Sequence, residues 1–140
     1  MNKKQFLESL ADVYCRIGKT KYGMGVVAIR PIPKGVDPFK RCDPFGGVLK
    51  IPEAELDAYP VPESVKNLVR DFCALQDGYY FAPDYGIDAV DKSYFLNHSR
   101  TPNMKVVRGG EAFVTARAIK TGEELTADYR LYDTEKQFKH

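Results

Sequence analysis

The apolar and polar positions change period several times along the chain, and each change marks an element. Residues 3–12 carry Phe6, Leu7 and Leu10 at helical spacing among charged and amide side chains, which predicts a short amphipathic helix. From Val13 the texture is that of β structure. Val13-Tyr14-Cys15-Arg16-Ile17 and Gly25-Val26-Val27-Ala28-Ile29-Arg30 are rich in strand formers and flank residues 18–24, so two short strands joined by a flexible loop are expected. Pro31-Ile32-Pro33-Lys34-Gly35 interrupts regular structure, and Phe45-Gly46-Gly47-Val48-Leu49-Lys50-Ile51 resumes it. Between Pro62 and Gln76 the apolar residues Val65, Leu68, Val69, Phe72 and Cys73 recur at helical spacing, with Pro62 and Glu63 suited to a first turn. Residues 52–59 add a shorter helical turn. Tyr79-Tyr80-Phe81 returns to strand, and Pro83-Asp84-Tyr85-Gly86 turns the chain. Met104-Lys105-Val106-Val107 and Ala112-Phe113-Val114-Thr115 form a hairpin about Arg108-Gly109-Gly110. A turn at Lys120-Thr121-Gly122-Glu123 precedes a last strand, Glu124-Leu125-Thr126-Ala127-Asp128-Tyr129.

This order has no repeat and no regular alternation of strand and helix of the kind that builds a parallel sheet. The fold class expected is mainly β with short helices. At 140 residues the chain reads as one domain, 1–140, able to bury a core without staples, with a helical insert at about 52–76 and a C-terminal tail at 130–140.

Composition removes several function classes. Twenty-one basic side chains stand against nineteen acidic ones, so no direct nucleic-acid binding and no anionic-membrane partner is expected. Cys15, Cys42 and Cys73 are odd in number and widely spaced, without a Cys-x-x-Cys pair, and read as reduced thiols. The first ten residues lack the apolar run of a signal peptide, and no apolar stretch is long enough to span a bilayer. A cytoplasmic or nuclear location is therefore expected, with no secretion through a signal peptide. His98 and His140 are the two histidines, so a zinc site or a Ser-His-Asp triad would rest on His98 almost alone, and no metal is expected.

The densest cluster of candidate chemistry is Tyr94-Phe95-Leu96-Asn97-His98-Ser99-Arg100-Thr101-Pro102-Asn103. It sets an amide, an imidazole and a hydroxyl directly behind an apolar pair and ahead of a Thr-Pro-Asn corner. Polar groups placed there form either a hydrogen-bonded knot or a ligand seat. Two further segments stand out, Tyr22-Gly23-Met24-Gly25 and the strand ending at Tyr129. Each alone has a bland explanation: a Gly-x-Gly turn, a satisfied structural histidine, a packing tyrosine.

In this order and at these separations the three segments resemble the signature of the SET-domain protein lysine methyltransferases. Lys21-Tyr22-Gly23-Met24-Gly25-Val26-Val27-Ala28 is similar to the family's first motif, and Ile32-Pro33-Lys34-Gly35 to the segment that follows it. Phe95-Leu96-Asn97-His98-Ser99 with Pro102-Asn103 is similar to its Asn-His-Ser motif. Gly122-Glu123-Glu124-Leu125-Thr126-Ala127-Asp128-Tyr129 is similar to its final strand.

The resemblance implies a β-clip-like SET fold of small curled sheets with a C-terminal pseudoknot, a threading exceptional among proteins. It would bring Tyr129 beside Asn97 and His98, and it makes the helical insert the segment used for substrate choice. It also implies transfer of a methyl group from S-adenosyl-L-methionine to the side-chain amine of a lysine in a protein or peptide; histone-like, ribosomal and other basic chains are all compatible. The implied cofactor-binding residues are Tyr22, Gly23, Met24, Gly25, Asn97, His98, Tyr129, Tyr132 and Phe138, His98 acting through its main chain. Phe45, Ala127 and Tyr129 would line the substrate channel. Tyr129 is the catalytic residue expected, orienting the amine rather than acting as a base, since a phenol has a pKa of about 10.

The sequence departs from the family pattern at several positions. Phe45 stands where many members carry Tyr, so one hydroxyl near the amine is missing. Arg100 replaces a cysteine often found after Asn-His-Ser. Ala127 replaces a Phe or Tyr, which would leave room for a bulkier amine and multiple methylation. The eleven residues after Tyr129 contain no cysteine, so no zinc-bound post-SET segment is expected there. Tyr132 and Phe138 in the tail, or a second copy of the chain in a homodimer, are the alternatives for closing the channel. The competing reading is a catalytically weak or inactive SET-like module that binds a lysine-bearing partner.

Overall fold

The structure is a computed structural model that describes residues 2–39, 48–84, 86–89 and 91–133. Helix α1 (Lys3–Ser9) opens with a capping box, in which the Asn2 side chain accepts from the Gln5 amide and the Gln5 side chain accepts from the Asn2 amide. A 3-10 turn, Leu10–Asp12, continues it. The expected helix is present, but its apolar face is not covered: Phe6, Leu7 and Leu10 are all exposed.

Strands β1 (Cys15–Thr20) and β2 (Gly23–Ala28) pair antiparallel from Cys15↔Ala28 to Thr20↔Gly23. The flexible loop expected at 18–24 is therefore mostly strand. Thr20 closes it, its hydroxyl donating to Gly23 O at 3.0 Å and accepting from the Tyr22 amide at 3.2 Å, which leaves two residues in the turn.

A second sheet holds β3 (Val48–Pro52), β4 (Ala74–Gln76) and β5 (Tyr79–Pro83) in the order β3-β5-β4. Two helices, α2 (Glu53–Ala58) and α3 (Glu63–Phe72), connect β3 to β4. They are tied by charge: Arg70 bridges Asp57 at 2.7 Å and Glu63 at 2.6 Å, and Lys66 Nζ donates to Asp57 O at 2.5 Å. Lys66 is consequently buried, whereas Val65 and Leu68 of the expected apolar face are exposed.

The helix expected to reach Gln76 stops at Phe72, and tertiary bonds explain why. Cys73 is fully buried in extended backbone, the Leu75 backbone N–H donates to the Asp133 carboxylate at 3.1 Å, and the Gln76 side-chain amide donates to Gly109 O at 2.8 Å. Asp77-Gly78, with φ 52° and 77°, then makes a two-residue hairpin turn to β5. Asp-Gly between strand formers is the sequence signal for that turn.

Strands β6 (Asn97–His98), β7 (Met104–Val107), β8 (Ala112–Thr115) and β9 (Glu124–Ala127) complete the described strands. The hairpin β7–β8 has the expected register, Met104↔Thr115 through Val107↔Ala112. The decisive element is β9. It pairs antiparallel with β2 and parallel with β6, in a sheet ordered β1-β2-β9-β6. Asn103, nearly buried, bonds the same strand with its side chain: Oδ1 accepts from the Thr126 amide at 2.9 Å and Nδ2 donates to Glu124 O at 2.8 Å. β9 is thus laced between β2 and residues 97–103, the C-terminal threading of the expected fold.

The strand expected to run through Tyr129 ends at Ala127. The Asp128 carboxylate accepts from the Arg130 amide at 3.0 Å and caps a 3-10 turn, Tyr129–Leu131. The main core, with Val26, Ile32, Leu96, Met104, Ile119 and Leu125 all but inaccessible, lies behind β2 and β9. A smaller cluster of Cys73, Leu75 and Tyr80 supports the second sheet. Among the described residues no helix is long and apolar enough to cross a membrane.

Candidate active site

The threading of β9 sets Tyr129 against the Asn97-His98 segment. The Tyr129 amide donates to His98 Nδ1 at 3.0 Å, and its hydroxyl donates to Leu96 O. The rings of His98 and Tyr129 lie 5.3 Å apart. Nδ1 also lies 3.8 Å from Asp128 Oδ1. Asp128 pairs with Arg130, whose guanidinium, with a smaller contribution from His98, holds the carboxyl below its ordinary range. The imidazole of His98, almost wholly buried, positions the turn that carries Tyr129.

An aromatic wall continues from that tyrosine. Tyr132 meets Tyr129 edge-on at 5.5 Å and Phe113 at 5.1 Å. Burial pushes the Tyr129 phenol up to about 12, with Asp133 and Glu124 adding in the same direction, and raises Tyr132 as well. Both therefore stay protonated at neutral pH. Gly110, at φ 106°, supports this wall from behind: a Cβ there would lie 2.8 Å from Cβ of Tyr132. Sequence reasoning took Gly110 only as part of a hairpin turn, since nothing in its local pattern places it against Tyr132. Gln76 was likewise missed; its side-chain amide donates to Tyr132 O as well as Gly109 O, fastening β4 to the wall.

A polar cluster forms on the other side of β9. Asn97 Nδ2 lies 2.6 Å from Glu124 Oε2, 3.2 Å from Met24 O and 3.4 Å from Thr20 Oγ1. Gly25 makes this approach possible. A Cβ at position 25 would fall 2.7 Å from both Asn97 Nδ2 and Glu124 Oε2, and 2.8 Å from Thr20 Cγ2. The space beside Gly25 is filled by these side chains. In the sequence Glu124 is one residue of the final-strand motif, and nothing local marks it as a partner of Asn97.

The remaining expected residues are distributed as follows. Tyr22 and Met24 stand exposed beside Gly23 at the turn of the β1–β2 hairpin, with Lys21 Nζ 4.9 Å from the centre of the Tyr22 ring. Ala127 is fully buried in the core cluster, so it meets an incoming side chain only where that side chain is itself buried. Arg100 is exposed. Phe45 and Phe138 lie outside the described residues. Among the described residues no three His, Cys, Asp or Glu side chains gather as metal ligands.

Comparison with known proteins agrees with this architecture. No curated protein matches the chain by sequence. Among solved structures, a Plasmodium falciparum protein named as a "putative histone methyltransferase" matches with a TM-score of 0.50 and 17% identity, over 84% of this chain and 93% of that one. At that identity the likeness concerns the fold. The family profile described as SET domain matches residues 23–130, which takes in β2, the Asn-His-Ser segment, β9 and Tyr129. The chain belongs to the SET domain family, a family of methyltransferases.

Proposed function

We propose that this protein transfers a methyl group from S-adenosyl-L-methionine to the side-chain amine of a lysine in a protein substrate. The observation that carries the reading is the junction at Tyr129, where a neutral, half-buried phenol donates to Leu96 O and the Tyr129 backbone N–H donates to the His98 imidazole, with the polar cluster of Asn97, Glu124 and Met24 O across β9.

The donor set suits the amino-acid end of such a cofactor. The Glu124 carboxylate, the Met24 carbonyl and the Asn97 side chain supply acceptors for an ammonium beside an exposed hairpin turn. Tyr22, Gly23, Met24, Gly25, Asn97 and the His98 main chain would hold it, with Tyr132 on its far side. When bound, the cofactor supplies an electrophilic methyl group on a positively charged sulfur.

The protein's task is to present a neutral lysine in line with that methyl group. At pH 7 an unperturbed lysine, with pKa about 10.4, pays about 4.6 kcal/mol to lose its proton. Desolvation against the rings of Tyr129 and Tyr132 lowers that cost, because burial disfavours the ammonium. The hydroxyl hydrogen of Tyr129 is committed to Leu96 O. Its oxygen lone pairs then accept an amine N–H and turn the amine lone pair toward the methyl group, a positioning role consistent with a phenol too weakly acidic to serve as base. The amine proton leaves to water.

Substrate choice falls to the insert, whose exposed Tyr59, Val65 and Leu68 lie on the surface. The test is incubation with methyl-labelled cofactor and a lysate, with mass spectrometry of the labelled side chain. Label on lysine that disappears in Tyr129→Phe, with circular dichroism unchanged, is the expected result. Full transfer by Tyr129→Phe, or label confined to other side chains, would overturn the reading. Binding of basic proteins with no transfer at all would favour a non-catalytic module.

A further inference from the structure

Helix α1 gains no stability from burial among the described residues. It has seven residues, and helices shorter than about 12–15 residues are marginal unless packing supports them. Its capping box satisfies the first turn, but none of its side chains is buried. Its charges also run against the helix dipole: the basic Lys3 and Lys4 lie in the first turn, and the acidic Glu8 and Asp12 lie toward the other end.

The helix is nevertheless held in place. Arg30, just past β2, donates from Nη1 to Ala11 O at 3.0 Å, and its guanidinium stacks 4.6 Å from the centre of the Tyr14 ring. The Ile29 N–H donates to Tyr14 O at 2.9 Å. These bonds fasten the 3-10 turn after α1 to the first sheet, so the exposed stripe of Phe6, Leu7 and Leu10 is presented from an anchored base. By helical spacing Lys3 falls on the same side as that stripe, and Asp12 lies beyond Leu10.

The occupant of the stripe must suit these charges. Two basic and two acidic side chains cancel, which leaves an anionic lipid surface no net charge to attract. A second copy of the helix, turned antiparallel by a two-fold axis, meets each requirement. Its apolar stripe covers the first, its acidic end lies beside the basic end of the first, and the two dipoles oppose each other. Lys4 and Glu8 already approach to 4.0 Å within one helix, which leaves Lys3 and Asp12 for the partner. We infer that α1 is a homodimer contact, in which the Phe6, Leu7 and Leu10 stripes of two copies pack antiparallel with Lys3 of each beside Asp12 of the other. Three apolar side chains per copy make a small interface, so the dimer forms reversibly with concentration.

The test is sedimentation equilibrium of the full chain over a concentration series. Wild type is expected to show a monomer–dimer equilibrium. Leu7→Gln combined with Leu10→Gln should stay monomeric throughout, with the Tm of dilute protein unchanged, because both side chains are exposed in the single chain. Lys3→Glu and Asp12→Lys should each weaken the dimer about tenfold, since each replaces two attractions across the axis by two repulsions. The two charge reversals together should restore it. Wild type that remains monomeric, a dimer that survives the Leu7 and Leu10 substitutions, or a double reversal no tighter than the single ones overturns the inference. A lowered Tm of dilute Leu7→Gln, Leu10→Gln protein would mean that α1 is covered within its own chain. Monomeric wild type that sediments with phosphatidylcholine or phosphatidylserine vesicles would mean that a lipid surface covers it. Each of these outcomes also overturns the inference.

Discussion

Replacing Asn103 by alanine removes the side chain that stands in for a neighbouring strand beside β9. In the native protein Asn103 Oδ1 accepts from Thr126 N–H and Nδ2 donates to Glu124 O, while its own carbonyl accepts from Ala116 N–H and would survive the change. The substitution deletes two hydrogen bonds at a site about 95% buried and leaves a backbone donor and a backbone acceptor without them. Two net hydrogen bonds contribute about 1–3 kcal/mol, and stranding buried partners raises the cost, so a loss of about 2–4 kcal/mol is expected. Unfolding entropy is about 2.1 cal/mol/K per residue. For 140 residues this is ~0.3 kcal/mol per kelvin, and Tm should fall by roughly 7–14 °C. Denaturant titration should show a lower midpoint with an unchanged slope, because the surface exposed on unfolding is the same. Asn103→Asp separates the two bonds: it keeps an acceptor for Thr126 N–H but sets a carboxylate oxygen against Glu124 O, so it should be no more stable than the alanine variant. A midpoint within experimental error of wild type for both variants would refute the view that Asn103 clasps the threaded strand.

Two further outcomes follow from the aromatic wall. Gly110→Ala places a Cβ 2.8 Å from Tyr132 Cβ and imposes φ 106° on a residue that resists it; a loss of about 1–3 kcal/mol is expected by denaturant titration, with altered near-ultraviolet circular dichroism from the displaced tyrosine. Tyr129 has its pKa raised to about 12 in the folded protein against about 10 unfolded, so the folded state holds more protons between those values. Stability should be level below pH 10 and decline as pH rises from there through 12, and Tyr129→Phe should weaken that decline. Tyr132, shifted in the same direction, leaves part of it in place. A Tm that is flat across this window in wild type would contradict the burial assigned to both phenols.

The local elements were legible where one physical signal dominated. The Asn2–Gln5 capping box, the β7–β8 hairpin and the start of α3 at Pro62-Glu63 all depend on residues near one another in sequence. Misreadings occurred where distant groups competed. Residues 73–76 continue a helical pattern, yet the Asp133 carboxylate, far along the chain, takes the Leu75 N–H while residues 74–76 pair with β5. The 18–24 stretch has the glycines of a loop, but the Thr20 hydroxyl closes it into a tight hairpin. The apolar side of α1 shows the converse: its period is helical, and the described fold leaves that face exposed.

By itself the sequence determined the family, through motifs whose residues are fixed in type and order, and with it Tyr129, Asn97 and the glycines at 23 and 25 as the residues to examine. It also determined the strand-rich class, because strand formers and turn residues alternate at short range. Only the tertiary structure decided what those residues do to one another. Gly25 makes room for the Asn97–Glu124 bond, Asn103 serves as a partner for β9, and Gly110 backs Tyr132. Each of these is a contact between segments separated by tens of residues, set by how β9 threads between β2 and β6, and local propensity carries no information about that path.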